Sequence, residues 1–130
     1  MIVYILTGLA LVVILLTRVR LGKDETEGPM KVNKGALLVH TVAGLIAWVA
    51  WMAFIIALRD NEILGIVALA FWWIAALAGL SLLLRWLPSG GKHATSVEED
   101  DWSEGPGLSI LAHFGLLIGV SIFTWFYATL

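Results

Sequence analysis

Four apolar runs, each close to the length of a bilayer crossing, leave this chain few ways to fold. They cover residues 2–17, 35–58, 63–84 and 107–130. A hydrocarbon core of about 30 Å takes about 20 helical residues, so three runs are long enough and the first is a little short. Inside lipid the backbone must satisfy its own polar groups, which leaves helices or a closed barrel. These runs are far longer than strands and do not alternate, so they read as helices. The expectation is an all-α integral membrane protein: one domain, a four-helix transmembrane bundle with short loops, and helices at about 2–18, 35–58, 63–85 and 107–129. The first run starts at Met1 with no basic stretch ahead of it and lacks a small-residue cleavage motif. It reads as a retained helix and not as a signal peptide.

Charge supports the same reading. Only 14% of residues are charged and 60% are hydrophobic, too little charge to cover the surface of a soluble domain this small. The charges sit in short blocks between the runs, with no basic patch interleaved with aromatics, so no nucleic-acid partner is expected. Cysteine is absent, which excludes disulfides, zinc thiolate centres and iron–sulfur clusters. The seven tryptophans suit a membrane protein. Trp86, Trp102 and Trp125 fit an interfacial belt, while Trp72 and Trp73 fall mid-helix and read as packing groups.

Lysine and arginine set the expected orientation. The first loop holds Arg18, Arg20, Lys23, Lys31 and Lys34, the third holds Arg85 and Lys92, and the second holds only Arg59. Basic loops stay cytoplasmic, so a multi-pass protein with both termini on the non-cytoplasmic side is expected. The third loop also carries the acidic run 98–101 and His93. The run reads as a solvated face, with docking of a basic partner as the sharper alternative, and His93 reads as a surface histidine.

Ionisable groups inside a membrane are costly and mark candidate sites. The two clear cases are His40 in the second run and His113 in the fourth. His40 lies six residues past Lys34 and His113 seven past Pro106, roughly 9 and 10 Å into the membrane at about 1.5 Å per residue. Two imidazoles at one depth on two helices are what axial ligation of a haem iron requires. Beside His40, a helical projection places Ala43, Gly44 and Ala47, a small-residue recess suited to a macrocycle. His113 shares its face with Ser109, Leu116, Leu117, Val120, Thr124 and Tyr127. Haem propionates would then meet Arg18, Arg20, Lys31, Lys34 and Arg85. Two other readings use the same residues. One is a site for a quinone or another small molecule, and the other is simple hydrogen bonding between helices.

Gly115 and Gly119 form a GxxxG pair that projects away from the His113 face and is expected to contact another membrane subunit. Ala75 and Gly79 give the third helix a similar small pair. Leu38-Val39-His40 and Leu111-Ala112-His113 share an L-x-H pattern, too short to establish a repeat.

The helix count together with His40 and His113 resembles the small four-helix membrane b-type cytochromes, and the resemblance implies haem b held between helices. With so little of the chain outside the membrane, the first functional expectation is a small non-catalytic subunit of a larger membrane complex, respiratory or redox complexes included. The alternative is a haem b electron-transfer protein with His40 and His113 as axial ligands to the metal. A transporter built by oligomerisation ranks last, because no charge is buried in the runs.

Overall fold

The computed structural model describes residues 1–22, 34–84 and 106–130. Their regular structure is helical throughout: α1 (Ile2–Gly22), α2 (Lys34–Ala57), α3 (Glu62–Leu84) and α4 (Pro106–Ala128). All four helices are long and apolar enough to cross a membrane. The chain is thus a helical bundle capable of spanning a membrane, as its apolar runs require. α1 runs a turn past residue 18, reaches 21 residues and carries Arg18 and Arg20 near its end. Cations suit a helix C-terminus, where unsatisfied carbonyls leave partial negative charge. The acidic run 98–101, His93, Lys23, Lys31, Arg85, Lys92, Trp86 and Trp102 lie outside the described residues.

α2 packs against α1 and α3, and α4 packs against α3 and α1. The helices therefore form a ring in chain order, with α2 and α4 facing each other across the diagonal. The α2–α3 seam is the most extensive and the α1–α4 seam the loosest. Small residues explain the tight seam: Ala43 and Ala47 on α2, and Ala68, Ala75 and Ala76 on α3, are all buried. Small side chains let helix backbones approach closely, which is the main source of cohesion where lipid is as apolar as the protein.

Polar ties fix the end of the bundle that holds the α2–α3 turn. Asn61 Oδ1 accepts the Leu64 amide at 3.0 Å and caps α3. Arg59 Nε donates to the Ile55 carbonyl at 3.0 Å, and its Nη2 reaches the Tyr4 hydroxyl of α1 at 3.3 Å. From α4, the Tyr127 hydroxyl donates to the Glu62 carbonyl at 3.1 Å. Beneath this layer the core is aromatic. Phe123 lies 5.0 Å from Trp51 and 5.5 Å from Trp72, centroid to centroid, and all three are fully buried. These separations suit tilted ring packing and close this half of the bundle.

Gly44 is where α1 meets α2. A Cβ built there would stand 2.6 Å from Ile14 Cδ1 and 3.2 Å from Ile14 Cγ2, and Ile14 is fully buried, with little room to yield. We expect Gly44→Ala to destabilise the fold by about 1–3 kcal/mol, the usual cost of overpacking. Ile14→Val removes the closest methyl and is expected to restore part of that loss in the double variant. Unfolding titrations in mixed micelles check this; strictly additive losses would show that the two residues do not meet.

Candidate functional site

Placed on diagonal helices, His40 and His113 converge in the interior at the end of the bundle away from the α2–α3 turn. Their ring centroids are 6.1 Å apart and the ring planes are inclined by 34°. His40 is fully buried and His113 is 8% exposed. The aromatic core lies on one side of this layer. On the other, Leu37 and Leu82 form a small apolar seal.

α3 orients the first of these rings. His40 Nδ1 lies 2.8 Å from the Ala75 carbonyl. A carbonyl only accepts, so Nδ1 carries the proton and donates. In the neutral ring the lone pair is then on Nε2, and the two nitrogens point to opposite sides of an imidazole. Nε2 therefore faces away from α3, and it is buried with no hydrogen-bond partner among the described residues. A ring N–H fixed by a backbone carbonyl, with the other nitrogen left as a base, is how proteins commonly orient a metal-binding histidine.

Gly79 makes the arrangement possible. A helical side chain leans toward the N-terminus and covers the turn before it, so any side chain at 79 would shield the Ala75 carbonyl one turn earlier. A Cβ at Gly79 would also stand 2.9 Å from His113 Cδ2 and 3.0 Å from His40 Cε1. The α3 backbone thus lies against both rings. Sequence reading singled out Ala75 and Gly79 only as a small-residue pair; their contact with the histidines follows from α3 standing between α2 and α4.

The other expected site residues divide. Ala43 and Ala47 are buried on α2, but the space left by Gly44 is filled by Ile14. On α4, Leu116 and Val120 are buried as projected, together with Phe123, which the projection omits. Trp73 Nε1 donates to the Thr124 hydroxyl at 3.2 Å.

Gly115 and Gly119 depart from expectation. They do not face away from His113 but line the same cleft, an apolar space of about 420 Å³ between α1 and α4. An added Cβ at either glycine would meet nothing within 4 Å among the described residues. The cause is the loose α1–α4 seam, which leaves space beside this flank of α4 although Leu116 and Gly119 on it are buried.

No known protein family, curated protein or solved structure matches the chain.

Proposed function

We propose that this chain is a haem b-binding membrane subunit, with His40 and His113 as axial ligands, that carries electrons within a larger membrane complex. The separation of the two rings carries this reading. Two iron–imidazole bonds of roughly 2 Å each, by analogy with zinc–imidazole, separate the nitrogens by roughly 4 Å, and roughly 1 Å more to each ring centre gives roughly 6 Å. The observed 6.1 Å agrees. A direct hydrogen bond between the rings would need nitrogens at about 3 Å and closer ring centres.

Two imidazoles would complete the coordination of a haem iron, whose macrocycle supplies the other ligands. Gly79 lies against both rings and leaves no room for a macrocycle on the α3 side; His40 Nε2 faces away from α3. Arg18 and Lys34, both exposed, lie at the end of the bundle toward which propionates would point.

Haem extraction from protein purified from haem-replete cells tests the proposal: one haem b per chain supports it, and protein free of haem opposes it. The subunit role is proposed because all four described helices are apolar enough to lie in a membrane, where partners are met through helix faces.

The orientation proposed with this function places the basic first and third loops in the cytoplasm and both termini outside. A C-terminal reporter that fluoresces only in the cytoplasm is expected to stay dark, and a periplasmic-type reporter enzyme at the same position to be active. The opposite pattern would invert the topology.

A further inference from the structure

The α2–α3 turn carries a cation that the bundle positions but does not neutralise. Arg59 lies just past the end of α2, and its side chain folds back toward the membrane. Nε donates to the Ile55 carbonyl at 3.0 Å, one turn earlier, and Nη2 donates to the Tyr4 hydroxyl of α1 at 3.3 Å. That hydroxyl in turn donates to the Ile55 carbonyl at 3.4 Å. Contacts from two helices thus fix the guanidinium. Nε and Nη2 form one edge of its planar fork. The other edge, Nη1 with the second Nη2 proton, makes no hydrogen bond to a described residue.

Asp60 and Glu62 are close in sequence, yet Arg59 forms no ion pair with either among the described residues. Both carboxylates are exposed and line the open recess of the turn with Asn61. The turn stands past the helix ends, whereas the guanidinium is held level with Ile55. This end of the bundle therefore presents positive charge on its membrane side and negative charge on its water side. An unpaired charge is costly so near hydrocarbon. A fork with two parallel donors fits the paired oxygens of a phosphate. Tyr4, Gly8 and Ile56, on the neighbouring surfaces of α1 and α2, are exposed and offer apolar area to acyl chains.

We propose that this end of the bundle binds one phospholipid with a primary-amine headgroup, a phosphatidylethanolamine. Its phosphodiester would sit on the free edge of Arg59, its ammonium toward Asp60 and Glu62, and its acyl chains along α1 and α2. In such a headgroup the phosphate joins the glycerol and the amine lies beyond it, the same order of charges as here. An ammonium donates N–H bonds to carboxylates, which the quaternary nitrogen of phosphatidylcholine lacks. Phosphatidylglycerol would bring net negative charge beside two carboxylates. The inference uses neither histidine and holds for either orientation of the chain in the membrane.

The test uses the full chain, delipidated in detergent and titrated with phosphatidylethanolamine, phosphatidylglycerol or phosphatidylcholine of matched acyl chains. Native mass spectrometry counts the lipid retained. One phosphatidylethanolamine per chain should be held more tightly than either other lipid. Arg59→Gln is expected to weaken its retention about tenfold or more, as loss of charge-assisted hydrogen bonds does. Arg59→Lys keeps the charge without the fork and should recover only part. The double variant Asp60→Asn/Glu62→Gln changes two exposed side chains; it should still bind phospholipid but lose the preference over phosphatidylglycerol. Circular dichroism of each variant checks that the helices persist. Equal retention of the three lipids would overturn the proposal, as would retention unaffected by Arg59→Gln or a preference unaffected by the double variant. Displacement of the lipid by inorganic phosphate would also overturn it, because a free anion would then be the ligand. Haem content, measured alongside, should not change in Arg59→Gln. The expected lipid pattern on a chain that carries no haem would uphold this inference and reject the haem reading.

Discussion

Replacing His40 or His113 with alanine is expected to abolish the low-spin haem spectrum almost completely, with all four helices still inserted. Insertion depends on the apolar runs, and neither histidine contributes to their hydrophobicity. Each substitution would remove one of the two proposed axial ligands and leave a ring-sized space opposite the other. Free imidazole should enter that space and restore the spectrum in part, a response that a packing role does not produce. If the histidines only join helices, either substitution should cost about 0.6–2 kcal/mol of helix association, and there is no chromophore to lose or rescue. Absorption spectra of the two variants, with and without imidazole, separate these outcomes.

The second large effect is expected at Gly79. A methyl group there would stand 2.9 Å from one imidazole and 3.0 Å from the other, and both rings are enclosed. Gly79→Ala is expected to destabilise the bundle by about 1–3 kcal/mol through overpacking and to lower haem retention. Gly79→Leu would also cover the Ala75 carbonyl, so His40 would lose the acceptor that orients it. A hydrogen bond of this kind contributes about 0.5–1.5 kcal/mol net, but loss of the ring's orientation should matter more, and haem should not be retained at all. Gly8→Ala, on open α1 surface, serves as the control and should retain full haem. Haem retention in Gly79→Leu equal to that in the control would mean that α3 does not border the site.

Hydropathy alone was enough to read the four helices, because a membrane-spanning segment is defined by its own composition more than by its neighbours. The end of α1 was harder to place. Arg18 and Arg20 look like a boundary in sequence, yet the helix continues to Gly22, since a basic residue can keep its charge at the interface without ending the helix. The equal depth of His40 and His113 was readable from residue counts, but their meeting was not. It depends on α2 and α4 being diagonal, a property of how all four helices close into a ring. For the same reason Gly79 and the Ala75 carbonyl looked ordinary: their role comes from facing two other helices at once. Helical projection placed Gly44 in an open recess because it sees one helix at a time, and Ile14 arrives from α1. It set Gly115 and Gly119 apart from His113, whereas the loose α1–α4 seam joins all three in one cleft.

The proposed function requires His40 and His113 together to hold one haem iron. The reduced-minus-oxidised absorption spectrum of the chain purified from haem-replete cells tests it most directly. Sharp α and Soret bands of a six-coordinate low-spin b-type haem are expected, unchanged by added carbon monoxide because both axial positions would be filled. A featureless spectrum, or a high-spin haem that binds carbon monoxide freely, would contradict it.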